Sequence, residues 1–127
     1  MIQLKHIALG SSSEEKSDRF YSNLLGMEKI NSKVLPQTLS RQIFDSDAEF
    51  KIINYANEQI HFEIFIPGTR ASNHDAIEHI CLGVDNLQAL LAKCRDLEVK
   101  IRQVPRGDAL ITFISDYDGN LFELKQQ

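Results

Sequence analysis

The 127-residue sequence predicts an α+β fold built from two βαβββ modules, on three observations. Histidine stands twice in the same apolar setting, in Leu4-Lys5-His6-Ile7-Ala8-Leu9-Gly10 and in Ile77-Glu78-His79-Ile80-Cys81-Leu82-Gly83. Each of these stretches reads as a strand and is followed by a helix-periodic segment and further strands. Each half then closes on a strand that carries a glutamate, Ile60-His61-Phe62-Glu63-Ile64 in the first and Asn120-Leu121-Phe122-Glu123-Leu124 in the second. If the strands curl into half-barrels with the helices outside, such modules make a curved, partly open mixed sheet or barrel around a central cavity. One domain over 1–127 is expected, with module 1 over about 1–68, a linker over about 69–76 and module 2 over about 77–127.

Taken in order, residues 2–9 are apolar and β-branched enough for a strand, ended by Gly10 and three serines. Ser12 and Glu15 have capping-box spacing, and Phe20, Tyr21, Leu24 and Leu25 follow at helical intervals until Gly26 supplies a stop. A turn leads into 28–35. After Pro36, residues 39–44 read as a short strand before the polar turn Asp45-Ser46-Asp47. Strands over 50–55 and 60–66 complete the first module, the latter closed by Pro67-Gly68. The polar run 69–75 is the linker. In the second module a strand over 77–84 precedes a helix capped by Asp85 or Asn86. Its apolar stripe is Leu87, Leu90, Leu91, Cys94 and Leu97. Strands over 99–104, 110–115 and 121–125 follow, separated by turns at Pro105-Arg106-Gly107-Asp108 and Asp116-Tyr117-Asp118-Gly119-Asn120.

Composition narrows the class. At 43% hydrophobic and 25% charged residues, the chain can bury an ordinary globular core. No apolar run approaches the roughly 20 residues of a membrane span, and no basic-then-apolar signal opens the chain. A cytoplasmic protein with no membrane partner is expected. A net charge of −4 without a basic face excludes nucleic acid as an expected partner. Cys81 and Cys94 form neither a Cys-x-x-Cys pair nor a disulfide framework, so both are read as reduced, partly buried thiols, Cys81 as a small core residue.

The chemistry lies in four residues. Side chains alternate across a strand, so Phe62 and Ile64 oppose Glu63, Phe122 and Leu124 oppose Glu123, Ile7 and Leu9 oppose His6, and Ile80 and Leu82 oppose His79. His6, Glu63, His79 and Glu123 therefore all fall on the face away from the helices, inside the curve. Two carboxylates there need compensation, because desolvating an unpaired charge is costly. Two neutral imidazoles and two carboxylates make a balanced site for a divalent ion of the first transition row. The site requires His6 and His79 to converge on the two glutamates. His61 shares the Glu63 face and is a candidate for an outer position or for substrate. His74 is read as solvated, and Arg41, Arg102 and Lys125 are candidate partners for an anionic substrate. No phosphate loop, nucleophile elbow or dinucleotide fingerprint is present.

Several motifs carry a resemblance. The opening His6-Ile7-Ala8-Leu9, the segment Phe20-Tyr21 to Leu24-Leu25-Gly26-Met27, Glu78-His79-Ile80-Cys81-Leu82 and the ending Asp116-Tyr117-Asp118-Gly119-Asn120-Leu121-Phe122-Glu123-Leu124 together resemble the vicinal oxygen chelate superfamily, close to glyoxalase I. The resemblance covers nearly the whole chain. It implies a metal held by His6, Glu63, His79 and Glu123, with nickel, zinc or cobalt ahead of iron or manganese. It also implies a carbon–sulfur lyase or isomerase of the lactoylglutathione lyase kind. The substrate would be the thiol hemithioacetal of a 2-oxoaldehyde, converted through a metal-stabilised ene-diolate with Glu123 or Glu63 as the catalytic base, Glu123 preferred. Family habit implies a homodimer whose sites draw on one chain or both. The alternatives are another metalloenzyme of the superfamily, a dioxygenase, epimerase or thiol transferase, or a non-catalytic small-molecule binder of the bleomycin-resistance type. The residues that would hold glutathione are not recognisable in this sequence.

Overall fold

A computed structural model describes residues 1–68 and 77–127. The linker expected over 69–76, with His74, lies outside the described residues. The chain forms two compact units, 1–69 and 70–127, each carrying one four-stranded mixed sheet whose two edges stay open.

In the first unit the order is β1 (Ile7–Gly10), β4 (His61–Ile66), β3 (Phe50–Ala56), β2 (Glu28–Leu35). β1 runs parallel to β4, and the other pairs are antiparallel. The strand read from residue 2 begins only at Ile7, with Ile2 and Leu4 exposed. Helix α1 (Glu14–Ser17) is capped by Ser13, whose side chain accepts from the Lys16 amide; Ser12 is not the cap. It continues as a π-helical segment, Asp18–Leu24, in which the Leu25 amide reaches back to the Phe20 carbonyl. Phe20, Tyr21 and Leu24 are thereby buried, and the Tyr21 ring meets Tyr55 and Phe62. Gly26, at φ +72, leaves the helix in a backbone region that other residues avoid.

Residues 39–44 are a correction. They belong to helix α2 (Gln37–Phe44) and not to a strand. Pro36 occupies the N-cap with extended backbone, and Asp45 ends the helix in the left-handed region. Leu39 and Ile43 fall four apart on one turn-to-turn row, the helical period. Phe44 packs edge-on against Phe65, which also receives Phe50. With 39–44 helical, the first module keeps three strands after its opening helix.

The second unit repeats the plan: β5 (Ile80–Val84), β8 (Leu121–Gln126), β7 (Ala109–Ser115), β6 (Lys100–Arg106), with β5 parallel to β8. Helix α3 (Leu87–Asp96) is capped by Asn86, which accepts from the Ala89 amide. It lays Leu91 and Cys94 on the face that carries Leu82, Ile114, Phe122 and Leu124, all buried. Burial pushes the Cys94 thiol up to about 11. The turn before β8 closes on Asp116, whose carboxylate accepts from the Asp118 and Asn120 amides and from the Asn120 side chain. Asn57 does the same before β4, accepting from the amides of Gln59 and Ile60.

The helix of the first unit is tied to its sheet by a polar knot. The Tyr55 hydroxyl donates to Asp18 Oδ1 at 2.7 Å and lies 2.7 Å from Ser17 Oγ, and burial holds the phenol well above its ordinary pKa. Tyr55→Phe leaves both partners short of a bond and should cost about 1–2 kcal/mol in urea unfolding. Nearby, Lys29 and then Lys51 bond Glu14 at 2.6 and 2.7 Å, holding its carboxyl below the ordinary value. A lowered folded pKa contributes stability above the unfolded value, lost as pH falls through the folded one. Glu14 is more than a third exposed, so the pairs are worth about 0.5 kcal/mol. Glu14→Gln should lower the unfolding midpoint at neutral pH, and the difference should shrink as pH falls below the ordinary carboxylate range.

Candidate metal centre

Parallel pairing positions the first half of the site. Ala8 of β1 lies opposite Glu63 of β4, so His6, two residues earlier, stands diagonal to Glu63 on the same face. His6 Nε2 is 3.3 Å from Glu63 Oε1. In the second unit Cys81 lies opposite Glu123, and His79, again two residues earlier, places Nε2 3.3 Å from Glu123 Oε1. Two separate sheets reach one pair geometry. Both histidines sit one residue ahead of their strands. The glutamates are the more enclosed partners, 17% and 20% exposed.

One hydrogen bond fixes the His79 tautomer. Its Nδ1 lies 2.7 Å from the Ile77 carbonyl oxygen, which can only accept, so Nδ1 carries the hydrogen and the neutral ring presents a lone pair at Nε2. That lone pair then faces a carboxylate oxygen. A cation between them, or a second ring proton, makes the contact attractive. The separation is also that of two donors each about 2.1 Å from a shared ion at an angle of about 100°. Imidazole nitrogen with carboxylate oxygen suits a divalent first-row ion, and a carbonyl on the other ring nitrogen is the usual outer support. The donors fit such an ion. Among the described residues, no third His, Cys, Asp or Glu side chain joins either pair within its unit to complete a metal-binding group.

The remaining candidates divide. His61, on the Glu63 face, lies 2.6 Å from Asn54 Oδ1, and the Asn54 amide donates to Asn31 Oδ1 at 2.8 Å. Asn54 is buried and lies directly opposite Glu63. His61 is thus held, with its ring 6.1 Å from that of His6. Arg41 is engaged by Asp47 at 2.6 Å, and Lys125 is exposed opposite Gly83. Cys81, read as a core residue, is instead exposed, because it shares the Glu123 face rather than the helix-covered one.

Arg102 has a different setting. The second unit holds a cavity of about 520 Å³ with apolar walls from Ile77, Val104, Phe113 and Leu121. His79, Ser115, Lys100 and Arg102 supply its polar groups. Sequence reading singled out His79 and Arg102 but missed Lys100, Ser115 and Phe113. The alternation of Lys100, Arg102 and Val104 along one strand was the available signal. Asn54, a polar residue inside Phe50–Ala56, was a second.

The fold agrees with comparisons to known proteins. The family model described as the Glyoxalase/Bleomycin resistance protein/Dioxygenase superfamily matches residues 3–124. A probable lactoylglutathione lyase of Synechocystis sp. (strain ATCC 27184 / PCC 6803 / Kazusa) is 28% identical over 131 residues, covering 97% of this chain and 94% of that protein. Among solved structures, the trypanothione-dependent glyoxalase I of Leishmania major superposes with a TM-score of 0.73 at 21% identity, over 99% of this chain and 87% of that one. A variant of the fosfomycin resistance protein FosX of Listeria monocytogenes, complexed with Mn(II) and 1S,2S-dihydroxypropylphosphonic acid, gives 0.74 at 20% identity, over 98% and 92%. At these identities the structures establish the shared fold. The family model spans nearly the whole chain, and the protein belongs to the Glyoxalase/Bleomycin resistance protein/Dioxygenase superfamily.

Proposed function

We propose that the protein is a metal-dependent lyase of the glyoxalase I kind, acting on the hemithioacetal of a 2-oxoaldehyde and a thiol. The observation that carries this is the pair of matched histidine–glutamate contacts, 3.3 Å in each unit at equivalent places of the repeat. The name of the Synechocystis relative supports the same class. His6, Glu63, His79 and Glu123 would together hold one divalent ion, with nickel, zinc or cobalt ahead of iron or manganese. Bound there, the ion would act as a Lewis acid toward two adjacent substrate oxygens. A homodimer is part of the proposal, and gel filtration alongside metal stoichiometry reads it.

The chain's own groups divide the remaining work. Glu123 adjoins the cavity, opposite Phe113 across the β7–β8 pair and 3.3 Å from His79. A substrate carbon lying over Phe113 is within its reach, so Glu123 takes the proton from C1 and returns it at C2. Glu63 has Asn54 opposite it and His61 two residues away on the same face, a setting suited to a ligand held in place. The Ile77 carbonyl keeps His79 in the tautomer that offers Nε2.

Glu123→Gln, loaded with nickel, zinc or cobalt and assayed for thioester formation from methylglyoxal and a panel of thiols, should lose turnover while still binding metal. Full activity in that variant refutes the role of Glu123. His79→Ala should weaken metal affinity by more than the roughly 10- to 100-fold that loss of an outer partner costs, read by competition with a chromogenic chelator. An unchanged affinity removes His79 from the ligand set.

A further inference from the structure

The cavity of the second unit has a built-in direction. Strand pairing lays two rows across its floor. Cys81, Glu123, Phe113 and Arg102 are successive partners on one row. Leu121, Ser115 and Lys100 form the adjoining row on the same face. The carboxylate of the metal pair thus lies on β8, an aromatic floor on β7, and two cations on β6. Two strand spacings, about 10 Å, separate the Glu123 and Arg102 backbones.

Among the described residues neither Lys100 nor Arg102 has an acidic partner, whereas Arg41, Lys29 and Lys51 do. Both line the cavity. Across the sheet from them the floor is Phe113 and Leu121, with the Ser115 hydroxyl as the neutral polar side chain, and Val104 and Ile77 complete the apolar lining. A peptide laid along such a floor would leave amide groups short of partners, at a cost for each. A hydrocarbon or aromatic arm would not.

We propose that the cavity selects substrates whose oxygen-bearing end is joined through an apolar arm to a terminal anion, a carboxylate or a phosphate, bound by Arg102 and Lys100. This rests on the lyase reading of the same site and gives that reading its thiol: an acid-terminated hydrocarbon thiol rather than a peptide one. The anion sits at the far end of the arm, away from the oxygens presented to the metal pair. Arg102 and Lys100 are specificity-determining residues and take no part in proton transfer.

Binding to metal-free protein tests this separately from the reaction. Phenylbutyrate should bind about tenfold more tightly than neutral phenylbutanamide, by titration calorimetry. Propionate, which lacks the arm, should bind much more weakly than phenylbutyrate. Phenylpropyl phosphate against phenylbutyrate reports which anion is preferred, and either order is consistent with the shared chemistry only if both exceed the amide. Arg102→Gln and Lys100→Gln should each remove most of the advantage of the acid and leave amide binding unchanged. The thermal midpoint of each variant shows that it is folded. Equal affinity for acid and amide, or an unchanged advantage in both variants, overturns the proposal. In the metal-loaded protein, mercaptohexanoate should give a lower KM than its methyl ester or glutathione, and Arg102→Gln should raise that KM with little change in kcat. A protein that prefers the acid probes but turns over no hemithioacetal keeps this cavity assignment and loses the lyase reading. One that turns over the neutral ester as well as the acid keeps the lyase reading and loses this one.

Discussion

Everything at the candidate centre depends on one feature of strand geometry, the parallel pairing of the first and last strands of each unit. Because β1 lies against β4 and β5 against β8 in equivalent registers, a histidine two residues before the residue facing a glutamate always arrives diagonal to it. Shifting either pairing by one residue would turn the glutamate into the helix-covered core and bring Phe62 or Phe122 to the open face. That core guards the register. Phe62, Ile64, Phe122 and Leu124 are buried almost completely, and each alternates with a residue of the site or its wall. The same burial that holds the fold together therefore keeps the donors in place.

The pairing also sets an electrostatic condition. Each unit brings a carboxylate to a half-enclosed face and aims an imidazole nitrogen at it. Where the Ile77 carbonyl holds the other nitrogen of His79, the ring has no hydrogen left to offer Glu123 in its neutral form. Ion pairs elsewhere in the chain are made by long cationic side chains on the surface, as Lys29 and Lys51 do with Glu14. At the two pairs no lysine or arginine has been placed for that purpose among the described residues. Compensation from outside the chain is the arrangement this donor set is suited to.

Sequence alone reached the repeated strand–helix plan, the helix-covered faces and the placing of a histidine beside the glutamate of its own half, because each rests on a short period repeated in both halves. It failed where local pattern is ambiguous. Leu39, Ile43 and Phe44 suit a short strand as well as a helix of two turns, and only the backbone at Pro36 and Asp45 decides. The π-helical segment is invisible for a related reason: Phe20, Tyr21, Leu24 and Leu25 also fit an ordinary α-helix. The cavity needed more than one strand at a time. Lys100 and Arg102 become neighbours of Phe113 and Ser115 only through the β6–β7 register, which no single stretch encodes.

The repeat is faithful at the donors and unfaithful around them. Opposite Glu63 stands Asn54, and opposite Glu123 stands Phe113. His61 occupies the place that Leu121 takes in the second unit, and Ala8 the place of Cys81. One unit thus surrounds its pair with a chain of amides that ends on His61, while the other surrounds its pair with hydrocarbon and distant positive charge. The two contacts share one geometry because each follows from the same parallel register between the first and last strands of its unit. Their surroundings differ because the residue opposite each glutamate is supplied by the neighbouring antiparallel strand, Asn54 in one unit and Phe113 in the other, which that register leaves free to vary.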